Sequence, residues 1–70
     1  MVRERKRRSR ARVVTYSFET SCPAAEPVLA KARELGTVTA YDVGSELVWF
    51  QGPPGPELRA IRDRIERLSR

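Results

Sequence analysis

The sequence predicts a small α+β domain of two layers, with its elements in the order βαββα. Three observations lead there. Apolar and polar residues alternate with period two in three short stretches, apolar residues recur at helical spacing in two others, and Gly and Pro cluster at the junctions. The domain takes residues 13–70, and residues 1–12 form a basic N-terminal arm of different composition.

The first stretch, "VVTYSFE" (residues 13–19), sets Val14, Tyr16 and Phe18 on one side and Thr15 and Ser17 on the other, the pattern of a half-buried strand. Its even parity runs back through Arg12 and Arg10, so the strand aims part of the arm. In "TSCPAAEPVLAKARELG" (residues 20–36) the period changes: Ala25, Val28, Leu29, Ala32 and Leu35 fall on one helical face, and Gly36 stands where a left-handed residue ends a helix. Pro27 has no N–H to give to an interior turn. Either the first regular turn begins near Ala25, or Pro23 opens a separate turn.

Two more strands follow, "TVTAYDV" (residues 37–43) and "ELVWFQ" (residues 46–51), with Gly44-Ser45 as a two-residue hairpin loop. Counting outward from that loop pairs Val43 with Glu46, Asp42 with Leu47, Tyr41 with Val48, Ala40 with Trp49 and Thr39 with Phe50. One face then carries Tyr41, Val43, Val48 and Phe50, and the other Val38, Ala40, Leu47 and Trp49. Asp42 and Gln51 bracket the second set, which marks it as the outward face. "GPPGP" (residues 52–56) breaks the sheet, and Pro56 suits the first position of a helix. In that helix, residues 56–69, Leu58, Ile61, Ile65 and Leu68 form the apolar face. The outer face offers i,i+4 charge pairs: Arg59 with Asp63, Arg62 with Glu66, Asp63 with Arg67 and Glu66 with Arg70.

Two helices on one face of a three-stranded sheet satisfy the layer rule. A right-handed crossover through the first helix is expected to set strand 1 parallel to strand 3, giving a mixed sheet of order 1-3-2. This arrangement resembles a truncated ferredoxin-like fold, one without its final strand, and therefore also a truncated RNA-recognition fold. The stretch "SELVWFQG" lacks the glycine and aromatic spacing of that motif's third-strand signature, so the likeness is one of topology.

Charge gives the functional reading. The formal net charge of +5 is not spread evenly. Arg3, Arg5, Lys6, Arg7, Arg8, Arg10 and Arg12 face one acid, Glu4, for a net +6 in the arm, whereas residues 13–70 hold seven bases and eight acids. A block of seven cations releases counterions on meeting phosphates, and the planar guanidinium fork binds phosphate through two hydrogen bonds. The expected partner is a nucleic acid, DNA or RNA, held through those seven side chains.

An outward face carrying Val38, Leu47 and Trp49 also calls for a partner. The candidates are a second copy in a homodimer through the sheet, bases stacked on Trp49, or the arm's own arginine stems laid on the indole. The competing function class is therefore a protein-interaction or purely structural domain, natural or engineered, that associates through this face.

Catalysis is not expected. Histidine is absent, and the usual zinc sets cannot be assembled from the single cysteine, Cys22. That thiol has no visible base beside it. No glycine-rich phosphate cradle occurs, and no cofactor is expected. The longest apolar run, Leu47–Phe50, is far short of a membrane span, so an intracellular location, cytoplasmic or at the nucleoid or nucleus, is the expectation.

Overall fold

A computed structural model describes residues 12–70. Its elements are β1 (Val14–Phe18), α1 (Ala25–Glu34), β2 (Ala40–Val43), β3 (Val48–Gly52) and α2 (Pro56–Leu68). The sheet has the order β1-β3-β2, and the arrangement is α+β. Six of the seven arm cations, Arg3, Arg5, Lys6, Arg7, Arg8 and Arg10, lie outside the described residues.

The sheet is antiparallel throughout, which corrects the expected parallel pairing of the first and third strands. Val14–Phe18 runs against Gly52–Val48, and Ala40–Val43 runs against Gln51–Val48. The reason is where the crossover lands. A helix that returns the chain makes β1 parallel to the next strand, β2; the hairpin then reverses β3, and β3 enters between the two, antiparallel to both.

The hairpin register differs from the count by two residues. Val43 pairs with Val48, Asp42 with Trp49, Tyr41 with Phe50 and Ala40 with Gln51. The turn is centred on Ser45-Glu46, closed by the Gly44 N–H donating to the Leu47 carbonyl at 2.8 Å. A slip of two leaves the side chains of the paired strand residues on their expected faces, because side-chain direction repeats every second residue.

The core lies between the sheet and the helices. Val48 and Phe50 from β3, Ala25, Leu29 and Ala32 from α1, and Leu58 and Ile65 from α2 are buried, joined by Cys22 and Val38. Tyr16 and Phe18 of β1 flank the Phe50 ring, with centroids 5.6 and 6.3 Å away. Such aromatic contacts add to the burial that holds β1 on the sheet.

Helix α1 begins at Ala25 after a turn in which the Ala25 N–H donates to the Cys22 carbonyl and the Glu26 N–H to the Pro23 carbonyl. Pro27 falls in the first helical turn, where a missing N–H costs little. Gly36 ends the helix with φ of +84°, a conformation that disfavours a Cβ. Leu35 stands at the cap before it and is 70% exposed, so it does not belong to the buried face that spacing assigned it. Gly52 answers a different demand. A Cβ there would run into the Thr37 carbonyl oxygen and crowd the Val38 Cα, so the absence of a side chain lets the 37–38 backbone cross the end of β3.

Among the four expected charge pairs of α2, only Glu66 and Arg70 approach within ion-pair distance, at 3.9 Å. Asp63 instead takes its neighbour Arg62 at 2.9 Å. Arg62 also lies over the Tyr16 ring, 5.4 Å from its centroid, so its head is drawn to the β1 side of the helix rather than along the outer face.

Candidate nucleic-acid interface

The sheet face turned away from the helices, left open among the described residues, is assembled by strand parity. With Val48 and Phe50 turned under the helices, Trp49 and Gln51 must point the other way. Trp49 sits on the central strand, opposite Ser17 of β1 and Asp42 of β2. Gln51 lies one step along, opposite Thr15 and Ala40. The Thr15 hydroxyl donates to Gln51 Oε1 at 3.3 Å, and the Thr39 hydroxyl reaches the Gln51 carbonyl at the same distance. One half-buried indole thus stands in a field of hydroxyl, amide and carboxylate groups.

Val38 does not belong to this face. It is 1% exposed and lies in the core. The period-two pattern cannot be carried back to it because β2 starts only at Ala40, after a bend at Thr39. The Thr37 and Val38 N–H groups both donate to the Ala32 carbonyl, at 3.0 and 3.3 Å, which folds this segment over the end of α1 and turns Val38 inward. Trp49 remains on the outer side of β3, and Leu47 lies just before the strand. Leu47 is exposed at the hairpin end, in a shallow depression it shares with Glu19 and Glu46.

Arg12 is exposed and separated from β1 by Val13 alone, the only member of the cationic set within the described residues. It enters at the end of the sheet where Val14 pairs with Gly52, away from the hairpin that carries Glu46. The other bases of the described part are on or just after the helices: Lys31 and Arg33 on α1, Arg59, Arg62, Arg64 and Arg67 on α2, and Arg70 beyond it. The strands themselves carry no base. The face itself offers a π surface and hydrogen-bonding groups.

The inner edge of β2 carries a separate polar contact. The Tyr41 hydroxyl donates to Glu26 Oε2 at 2.9 Å, and this bond to the carboxylate, with the cost of burial second, raises the phenol above its ordinary pKa. A phenol held in its protonated form is a poor base. Cys22 is 3% exposed and packs as a small apolar side chain. Among the described residues no group of three metal-ligating side chains occurs, and no helix is long and apolar enough to cross a membrane.

The polar surround of Trp49 was readable from the sequence, through the parity of Asp42 and Gln51. The bond between Thr15 and Gln51 was not, because it depends on how β1 aligns with β3, a long-range register that no local pattern encodes. No family model, curated protein or solved structure matches the chain.

Proposed function

We propose that this protein is a small nucleic-acid-binding module whose Arg-rich arm contacts phosphates and whose βαββα body anchors the root of that arm. The partition of charge supports the reading most directly. Seven cations crowd residues 3–12, and the rest of the chain, with seven bases and eight acids, has a surplus of only one carboxylate to set against them. In this reading Trp49 is an accessory platform on which one unpaired base stacks, and its polar neighbours Thr15, Ser17 and Gln51 meet sugar or base edges. The arm contributes affinity without sequence preference, because phosphate contacts carry no base information.

The test is a fluorescence-polarisation titration of the full chain with duplex and single-stranded oligonucleotides over a range of salt. Full engagement of seven cations on duplex gives a log–log salt slope of up to about −6. Changing the seven arm cations to Gln in the full-length chain should lower affinity by roughly a hundredfold or more at low salt. A flat salt response, or equal affinity in both chains, would remove the proposal. Retained self-association in the neutralised chain, with oligonucleotide binding absent from both, would favour a protein-interaction domain instead.

A further inference from the structure

The helical layer carries a second surface, on the side of the molecule opposite Trp49. A furrow of about 490 Å³ runs between α1 and α2. Pro27, Val28 and Leu35 form one wall, and Ile61 and Leu68 the other. Leu35 and Leu68 are 70% and 41% exposed, two of the four large apolar side chains left open among the described residues. Val28 and Ile61, half-buried, continue the two walls toward the core. These side chains line one furrow together rather than lying scattered over the surface.

Its rim has one sign of charge. Lys31 and Arg64 are the charged residues lining the furrow, and no carboxylate lines it. Among the described residues neither forms an ion pair; those that do are Arg62 with Asp63 and Arg70 with Glu66. We propose that this furrow is a docking groove for an acidic amphipathic helix of a partner protein.

The shape argues for a helix. Lining positions 24, 27, 28, 31 and 35 recur along all of α1, so the furrow is roughly 16 Å long at the helical rise per residue. An apolar stripe at i, i+3, i+4 and i+7 on an incoming helix would lie along it, making a third member of the helical layer. Charge argues for acidic flanks, since a carboxylate on either side of the stripe would meet Lys31 or Arg64. The same charge argues against a second copy seated groove to groove, because a two-fold axis would bring both copies' Lys31 and Arg64 side chains together. Nucleic acid is a poor occupant here: the lining has aliphatic walls and no aromatic ring on which a base could stack.

The experiment is an NMR titration of the full-length chain carrying the seven arm-to-Gln changes, so that the arm does not hold an acidic probe. The probes are two synthetic helical peptides with one leucine stripe, flanked by Glu in one and by Lys in the other. The Glu peptide should shift amides of Val28, Lys31, Leu35, Ile61, Arg64 and Leu68, and bind at least roughly tenfold tighter than the Lys peptide. Lys31→Glu with Arg64→Glu should invert that preference, and Leu35→Gln, at an exposed position, should weaken both peptides without unfolding the domain. No shifts at millimolar Glu peptide, shifts confined to the sheet face, or a preference unmoved by the charge reversal would each overturn the proposal. The arm reading stands or falls on oligonucleotide affinity, so the two failures are distinguishable.

Discussion

The two sides of β3 are built from neighbouring residues and live in different worlds. Val48, Phe50 and Gly52 are buried under the helices, while Trp49 and Gln51, one residue away each, remain half-exposed. The most voluminous apolar side chain of the strand is on the open side, and a residue with no side chain is on the closed one. Hydrophobicity alone does not sort them. Cover does: the helices lie on one side only, and on that side Gly52 leaves room for the 37–38 backbone. A strand can thus bury its smaller residues and leave an indole half-exposed.

The contrast is broken most severely from the inside. Phe50 is fully buried between Tyr16 and Phe18, so Phe50→Ala should cost about 3–5 kcal/mol by denaturant unfolding, a large share of what a domain of this size has. Trp49→Ser, one residue along, should cost about 1 kcal/mol or less, because a half-exposed side chain with no helix over it gives up little on truncation. If the two substitutions cost the same, the outer face is covered by something in solution and the asymmetry is not real. Where single-stranded oligonucleotide binds, Trp49→Ser should lower its affinity about tenfold, the loss of one stacked base.

A smaller effect comes from filling the inner face where it has no room. Gly52→Ala places a methyl group against the Thr37 carbonyl, and backbone cannot swing aside as a side-chain tip can. A loss of about 1–3 kcal/mol is expected, with amide shifts in NMR spectra concentrated at Thr37 and Val38. Unchanged stability would mean that the crossing of the 37–38 segment over β3 is looser than this geometry.

These particular residues also explain what the sequence could and could not reveal. The assignment of faces was legible because period two survives a two-residue slip in the hairpin, so Tyr41, Val48 and Phe50 turn inward under either register. Val38 was not, since the bend at Thr39 interrupts the period before the strand begins. Leu35 and Leu68 satisfy the helical period yet stay exposed, because a period fixes the face and not whether a neighbouring element extends far enough to cover a helix end. The furrow between the helices lies in that uncovered stretch, which no period encodes. Three of the four i,i+4 charge pairs failed for another reason: Arg62 is drawn toward Tyr16 and takes Asp63 with it, a choice made by tertiary contact, while Glu66 and Arg70 still meet. Of the candidate nucleic-acid site, the charge partition was fully legible, while the setting of Trp49 needed the alignment of β1 with β3.

The mildest perturbation tests the rim of the inner face, where Tyr41 is tied to Glu26. The hydrogen bond exists only while the phenol keeps its proton, and the adjacent carboxylate opposes its loss, so the folded pKa lies above the ordinary tyrosine value. The sign follows from linkage. This contact's contribution to stability is fully present below the unfolded tyrosine pKa and is lost as pH rises through the higher folded one. Glu26→Gln removes the negative charge and leaves a weaker acceptor, so the Tyr41 midpoint should move down toward the ordinary value. An absorbance titration of phenolate in a Tyr16→Phe background, where Tyr41 alone reports, measures it. Coincident midpoints with and without Glu26 would mean that the bond between α1 and β2 does not persist in water, and that the edge of the closed face is held by the packing of Val43 and the Tyr41 ring alone.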